Sequence, residues 1–319
     1  QGSTEYLGEN PPFGATFTFY LKDVPKTQKE IRTEKEKELF KEGKPIPQPS
    51  WKELEDESKE VAPYLIFTIT DEQGFVIRKI TKSPSKGINR ITWDLNYAAT
   101  FPLRVGDKKF DPLKENRGSW MVMPGNYKVS LSMVTKNEVK ELVSPQSFKA
   151  VSLNNATIPA PDKKEMVEFQ RKVAELTRVM AGTVELNKEL IERVNIIKQA
   201  VLATPAAGME LITDAEKIEV ELNDIRIKFE GLTAKASDEE IPPQAVPLTQ
   251  RLYYIIEAQI NSSSPITSTS TKSFEIINEE FPPLLKRIEE IATKDIKLLE
   301  TKLDAAKAPW TPGRIPVLK

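Results

Sequence analysis

Apolar residues follow two different spacings along this chain of 319 residues, and the spacing changes near residue 159. Before that point apolar and polar positions tend to alternate, as in Ala15 to Leu21, which is typical of half-buried β-strands. After it, apolar residues recur every three or four positions, which is typical of amphipathic helices. We therefore predict two domains, residues 1–158 and residues 159–319.

The first half contains seven or eight short strands separated by turn residues. The Asp-Glu-Gln-Gly sequence at 71–74 joins two of them as a hairpin, because its glycine can adopt a positive φ. A strand that ends in Trp93-Asp94-Leu95 and a Pro-Gly turn that leads to Tyr127 favour a small immunoglobulin-like (Ig-like) antiparallel β-sandwich. The predicted strands are 15–21, 64–70, 75–80, 88–95, 120–123, 127–134, 139–143 and 146–151.

Two insertions interrupt these strands. Residues 22–60 carry ten basic and eleven acidic residues and few apolar ones. Thr27 with Glu30, and Ser50 with Glu53, both fit a capping box, which predicts helices at about 27–42 and 50–60. Residues 96–118 show no clean period, and we predict a long surface loop there.

The second half shows four apolar stripes, which predict four helices. Alternating four- and three-residue steps from Val173 to Val201 predict a first helix of about 40 residues. Thr183 and Asn187 occupy inward positions of that helix, where they could form a polar pocket or fix the helix register through a buried hydrogen bond. The second helix is predicted to end at Gly231.

The third helix is predicted at about 247–261 and the fourth at about 270–306. Pro282 and Pro283 should kink or briefly break the fourth helix. Four such stripes can be buried only against one another, which favours an antiparallel four-helix bundle. The proline-rich tail 309–316 cannot be helical and is predicted to be extended. The predicted fold class is therefore α+β, with a sandwich that carries a helical insertion and a helical bundle.

The amino-acid composition argues against a catalytic function. The chain contains no histidine and no cysteine, so most side chains that act as acids, bases or nucleophiles near neutral pH are missing. The same lack removes the usual ligands of zinc, copper and iron, and no EF-hand spacing or glycine-rich phosphate loop is present. We therefore predict no catalytic, cofactor-binding or metal-binding residue, and no cofactor.

The charge balance and the hydropathy limit the classes of partner that we expect for this chain. With 46 basic and 47 acidic residues the formal net charge is −1, which gives no reason to expect a nucleic acid partner. No apolar run approaches the roughly 20 residues that cross a bilayer, so no membrane span is predicted. The default interpretation of the charged insertion 22–60 is a solvent-exposed surface. If the insertion instead docks on a partner, Phe40, Trp51 and Leu54 are its candidate anchors. Trp310 is a fourth candidate anchor.

Carbohydrate recognition is the main alternative to protein binding. Trp93 could stack on a sugar ring while Asp94 binds its hydroxyls, or Trp93 could lie in the core with Asp94 capping the next turn. A sugar platform on the strands would need Trp93, Trp120 and Tyr127 to be exposed. Hydrolysis of a glycoside would need two carboxylates roughly 5–10 Å apart across a cleft, and most acidic residues here lie among lysines.

Several motifs occur in order along the chain: Leu7-Gly8-Glu9-Asn10-Pro11-Pro12 with Gly14-Ala15 and Tyr20-Leu21, the strand from Asn89-Arg90 to Asp94-Leu95, Pro124-Gly125-Asn126-Tyr127, and Pro309-Trp310-Thr311-Pro312-Gly313-Arg314. Together they resemble the C-terminal region of secreted bacterial proteins, common in Bacteroidetes, that carry a sortilin-like propeller of BNR-type repeats. In that family the propeller precedes this region, and the Ig-like part resembles the flagellar hook-capping Ig-like module. The resemblance covers nearly the whole chain except residues 22–60.

The resemblance implies a secreted, periplasmic or cell-surface location and a non-catalytic accessory role. The implied partner is the upstream propeller or an envelope protein. Family members are often labelled glycosyl hydrolases, but any such activity would belong to the propeller, so the resemblance transfers no catalytic residue. We therefore expect an interaction region; the alternatives are a carbohydrate-binding module and, third, part of a glycoside hydrolase.

Overall fold

The chain forms two compact units of different secondary structure, Gln1–Ala99 with Gly106–Asn155 and Thr100–Val105 with Ala156–Lys319. The first unit contains antiparallel sheets and two helices, and the second is helical, so the fold class is α+β. The structure is a computed structural model, and it describes residues 8, 10–99, 101–103, 110–114, 118–136, 138–153, 158–233, 244–260 and 262–316. Leu7 and Glu9 of the first family-like motif lie outside these residues.

The strands of the first unit pair into three antiparallel sheets. β1 pairs with β4, β5 pairs with β6, and the remaining four form a sheet in the order β3-β2-β7-β8. The alternation in β1 predicted its burial, since Phe17, Phe19 and Leu21 face inward. The strands are β1 (Ala15–Leu21), β2 (Tyr64–Thr70), β3 (Val76–Lys82), β4 (Gly87–Trp93), β5 (Asn96–Ala98), β6 (Gly118–Met121), β7 (Gly125–Thr135) and β8 (Glu138–Ala150).

Apolar side chains of β1 and β4 pack against the four-stranded sheet. Phe19 of β1 contacts Phe67 of β2 edge to face, with ring centroids 5.1 Å apart. Trp93 at the end of β4 is fully buried and contacts Tyr127 of β7 in the same way at 5.6 Å. Edge-to-face aromatic pairs of this kind add specific geometry to the burial of large apolar surfaces.

Two local predictions in this unit were wrong. The predicted strands 139–143 and 146–151 form one strand, β8, because Ser144 and Pro145 form a bulge instead of a turn. A proline is tolerated there because β8 is at the edge of the sheet. The predicted loop 96–118 begins and ends with the paired strands β5 and β6; residues 100, 104–109 and 115–117 lie outside the described part.

The second unit buries apolar stripes between its helices, as predicted. The longest helix, α3, has 40 residues and contacts each of the others. Gly231, with φ of 78°, follows the end of α4 and confirms the predicted stop. The helices are α3 (Lys163–Leu202), α4 (Glu210–Glu230), α5 (Leu248–Gln259), α6 (Ser268–Glu290) and α7 (Ile296–Ala305), with a π-helical turn at Ile291–Asp295.

The predicted break at Pro282 and Pro283 does not occur, since α6 is continuous through both prolines. A proline leaves the carbonyl four residues earlier without its helical donor. Those carbonyls belong to Asn278 and Glu279, and all four residues are exposed. Water can therefore satisfy the free carbonyls, which explains why the helix continues.

The irregularity occurs later, at the π-helical turn between α6 and α7. From Ile277 to Ile291 the buried residues are spaced by three or four positions, but the next buried residue is Ile296, five positions on. Steps of three or four residues differ from one α-helical turn of 3.6 residues by about 0.6 residue or less, whereas a step of five residues exceeds it by about 1.4 residues. The wider π turn keeps Ile291 and Ile296 on the buried side of one continuous helical rod.

Candidate interaction surface

The insertion between β1 and β2 forms two helices, α1 (Gln28–Lys41) and α2 (Trp51–Lys59). Both begin at the predicted capping boxes. The Thr27 and Ser50 side chains accept from the backbone N–H of Glu30 and Glu53, whose carboxylates accept from the cap N–H groups in return. These backbone hydrogen bonds lower the pKa of both carboxyl groups. The sequence therefore determines where each helix starts.

Charged groups join the two helices at one end. The Arg32 guanidinium donates to both carboxylate oxygens of Glu57, at 2.6 and 2.8 Å, and also to Glu36 at 2.6 Å. The hydrogen bond from Arg32 holds the pKa of Glu57 below its ordinary value. The backbone N–H of Gln28 donates to the carboxylate of Glu60 at 2.7 Å. The start of α1 therefore meets the end of α2, and we call this helical hairpin, residues 22–60, the arm.

Neither helix of the arm buries a side chain. Of the predicted anchors, Trp51 is 88% exposed, Phe40 is 75% exposed and Leu54 is 40% exposed. Ile46, in the proline-rich connection between the helices, is 46% exposed and was not among the predicted anchors. Because the helices run antiparallel, these residues lie at the end of the arm away from the Arg32–Glu57 pair. We call Phe40, Ile46, Trp51 and Leu54 the apolar end of the arm.

The carboxylates of the arm are mostly engaged by groups of the arm itself. Apart from the caps and the Arg32 and Gln28 contacts, Glu34 pairs with Lys26, Glu42 with Lys44 and Glu55 with Lys59. Three lysines around the apolar end have no ion-pair partner among the described residues, and all are exposed. They are Lys37, Lys41 and Lys52.

Trp310, the fourth predicted anchor, belongs to the helical unit and is 58% exposed. Its indole N–H donates to the carbonyl oxygen of Arg314 at 2.7 Å, and the backbone N–H of Arg314 donates to the carbonyl of Thr311 at 3.2 Å. The tail after α7 is therefore a closed turn, and the prediction of an extended tail was wrong. The turn forms because the buried Arg314 guanidinium donates to Asp304 at 2.5 Å and to the Pro309 carbonyl at 2.7 Å.

A buried polar cluster lies under this turn. Arg193 of α3 donates to the buried carboxylate of Glu300 of α7 at 2.6 Å. Gly313 lies directly on the guanidinium, since a Cβ at this position would be 2.5 Å from a terminal nitrogen of Arg193. The cluster ties the turn to the helices, because it joins α3, α7 and the tail.

The three aromatic residues on which the alternative of a sugar platform depended are not exposed. Trp93, Trp120 and Tyr127 are all buried. The Trp93 indole N–H donates to the carbonyl of Asn96 at 3.0 Å, and Asp94 accepts from the Asn96 backbone N–H at 3.1 Å. Trp93 is thus a core residue and Asp94 caps the following turn, which is the structural alternative given above.

The two polar residues predicted inside α3 also make structural contacts. The Thr183 hydroxyl donates to the Val179 carbonyl in its own helix at 2.8 Å. The Asn187 amide donates to the Leu222 carbonyl in α4 at 3.1 Å. This contact matches the alternative in which Asn187 fixes the register of neighbouring helices.

The described residues contain no group of three or more Asp, Glu, His or Cys side chains arranged to hold a metal ion. They also contain no helix that is long and apolar enough to span a membrane. Comparisons with protein-family models, with curated proteins and with solved structures gave no match.

Proposed function

We propose that this chain is a non-catalytic interaction region of an extracytoplasmic protein and that the arm is its docking element. In this proposal the first unit is an Ig-like sandwich of the hook-capping type, and the helical unit is an antiparallel four-helix bundle. The partner is a sortilin-like propeller or another envelope protein. The strands of the first unit, from which the arm emerges, would serve as its scaffold.

The exposed apolar end of the arm is the observation that carries the proposal. A fully solvated charged arm needs no tryptophan, yet Trp51 is the most exposed of the four tryptophans. Exposed clusters of large apolar residues rimmed by charges are typical of protein interfaces. Tryptophan is also among the residues whose truncation costs most in interfaces.

The fixed geometry of the arm supports the same conclusion. Two capping boxes and the bidentate Arg32–Glu57 pair hold helices that bury no side chain of their own. A surface with its backbone ordered before binding loses less conformational entropy when a partner docks. Such an arm suits docking better than a flexible linker would.

The test compares capture of partners by matched variants of the full chain. Immobilised wild-type chain, F40A/W51A/L54A and a control with F13A/F75A are incubated with an envelope extract, and retained proteins are quantified by mass spectrometry. Phe13 and Phe75 are exposed apolar residues outside the arm. Circular dichroism checks that each variant is folded.

We expect one protein to be retained by the wild type and the control, and to be reduced by roughly 30-fold or more with the arm variant, as for other interface hot spots. That protein is then purified and its affinity for each variant is measured by calorimetry. Equal retention by the arm variant and the wild type would refute the proposal.

A further inference from the structure

We propose that the partner surface of the arm is an acidic protein surface with an apolar groove, which accepts the apolar end while its carboxylates pair with Lys37, Lys41 and Lys52. This inference rests on the proposed function of the arm. It adds the chemistry of the partner, which the sequence composition alone conceals.

The formal charge of the arm is misleading, because ten basic residues nearly balance eleven acidic ones. The contacts within the arm use the two signs unequally. Glu30 and Glu53 are engaged in capping boxes, Glu36 and Glu57 by Arg32, and Glu60 by a backbone N–H. These carboxylates keep their negative charge but already have local partners, so the charged side chains that have no partner in the described arm are mainly lysines.

The available lysines lie close to the apolar end in sequence and in the helices. Lys37 and Lys41 are in the last two turns of α1 beside Phe40, and Lys52 follows Trp51 at the start of α2. Among the described residues none of the three makes an ion pair or a side-chain hydrogen bond, whereas Lys44 nearby is paired with Glu42 at 2.7 Å. An apolar centre with a cationic rim is complementary to an apolar groove with an acidic rim.

An anionic bilayer surface would also attract lysines and tryptophan, but the arm suits it less well. Glu38, Glu42, Glu53 and Glu55 are all exposed around the same end of the arm. A continuous anionic surface would repel these carboxylates while it attracts the lysines, so the two effects would partly cancel. A protein surface carries discrete charges, which can match individual lysines and leave space for the carboxylates.

The experiment identifies the contacted surface directly. The photocrosslinking amino acid p-benzoyl-phenylalanine is placed at Ile46 of the full chain, which leaves Trp51 and the lysines intact, or at the exposed Phe75 as a control. Each protein is irradiated in an envelope preparation, and crosslinked peptides or lipids are identified by mass spectrometry. The crosslink at Ile46 is repeated with K37E/K41E/K52E, and with K172E/K272E/K286E as a matched charge reversal in the helical unit.

We expect the probe at position 46 to crosslink to partner peptides that are rich in Asp and Glu and contain apolar residues. The probe at position 75 should crosslink to none of these peptides. The yield should fall on the order of tenfold with K37E/K41E/K52E, as expected for three exposed charge pairs, and should be unchanged with the control reversal. High salt should lower it as well.

The other outcomes separate the two proposals. A specific crosslinked protein surface that lacks acidic residues, or a yield that the arm reversal leaves unchanged, would overturn this inference and leave the docking function in place. Crosslinks to phospholipid would overturn it in favour of a membrane surface. Absence of any crosslink above the Phe75 control would overturn the docking function together with this inference.

Discussion

The side-chain amide of Asn187 on α3 donates to the carbonyl oxygen of Leu222 on α4 across 3.1 Å. Asn187 is almost completely buried, and its amide oxygen has no hydrogen-bond partner. A buried amide with one unsatisfied atom costs stability but selects one helix register, because any slip leaves both atoms unpaired. The contact therefore contributes mainly to the specificity of the α3–α4 packing.

Asn187→Asp should destabilise the helical unit strongly at neutral pH. The carboxylate keeps the shape of the amide but cannot donate to the Leu222 carbonyl, and it buries a charge without a partner. We expect a loss of about 3 kcal/mol in the free energy of unfolding, measured by urea denaturation at pH 7. Burial raises the pKa of the introduced carboxyl, so part of the loss should be recovered at pH 5, where protonation removes the charge.

The matched control is Asn278→Asp, because Asn278 is an exposed helical asparagine. It should change the free energy of unfolding by no more than about 0.5 kcal/mol at either pH. Similar losses for both variants would contradict the role assigned to Asn187.

The helices were predictable because each carries its own signals. The capping boxes at Thr27 and Ser50 fix the starts of α1 and α2, and Gly231 fixes the end of α4. These features act within a few residues, so the sequence alone identifies them. The effects of Pro145 and of Pro282 and Pro283 were less predictable, because whether a proline interrupts an element depends on which side of its helix or strand meets water.

The π turn could have been predicted from the apolar stripe. The five-residue step from Ile291 to Ile296 interrupts a series of three- and four-residue steps, and both residues are fully buried. An α-helix cannot keep both on one side across five residues, so either a break or a π turn is required. The prediction of one helix at about 270–306 took no account of this five-residue step.

Deletion of Lys294 should be tolerated, because it restores a four-residue step from Ile291 to the following isoleucine. Lys294 is exposed and lies within the π turn. We expect the π turn to become α-helical, with a change of about 1 kcal/mol or less in the free energy of unfolding, measured by urea denaturation.

Deletion of Lys286 provides the comparison, because it removes an equally exposed lysine from the regular part of α6. It rotates every later residue by about 100°, which moves Ile288 and Leu299 out of the core, so we expect a loss of several kcal/mol. Equal losses for the two deletions would show that the π turn does not act as a one-residue insertion.

The proposed docking surface was predictable only in its apolar part. Phe40, Trp51 and Leu54 stand out among charged residues in the sequence. The engagement of the carboxylates does not, because Arg32 and Glu57 are 25 residues apart and meet only when α1 and α2 pair. The imbalance between engaged carboxylates and available lysines therefore emerges from the tertiary arrangement.

The ion pairs of Arg287 predict a pH dependence for the helical unit. Arg287 of α6 donates to both oxygens of Glu221 on α4, at 2.5 and 2.7 Å, and these hydrogen bonds lower the pKa of Glu221 below its ordinary value of 4.5. Arg287 also pairs with Glu290 and Asp295. A lowered pKa in the folded state means stabilisation that is present above pH 4.5 and is lost as pH falls through the folded pKa.

Glu221→Gln should therefore lower the free energy of unfolding at pH 7 by at most about 1 kcal/mol, since the pair is partly exposed and screened by solvent. The difference from wild type should be smaller at pH 3 than at pH 7, because pH 3 is closer to the lowered pKa of Glu221 and a larger fraction of the carboxyl group is protonated there. Urea denaturation at both pH values measures it. Glu216→Gln, an exposed change on the same helix, should show no such difference; a Glu221 effect independent of pH would contradict the ion-pair explanation.

Gly313→Ala should loosen the C-terminal turn. Gly313 has φ of 91°, and a Cβ would be 2.5 Å from the Arg193 guanidinium, which the buried Glu300 holds in place.

Gly43→Ala is the matched control, because Gly43 also has a positive φ, 66°, but nothing lies within 4 Å of its Cβ position. The control measures the backbone strain, about 1 kcal/mol, and Gly313→Ala should cost more in thermal denaturation because Arg193 must also move. Gly313→Ala should also red-shift the fluorescence emission of Trp310 once the indole leaves the Arg314 carbonyl. Equal losses of stability for the two variants, with unchanged emission, would mean that the Arg193 guanidinium moves aside without a measurable cost.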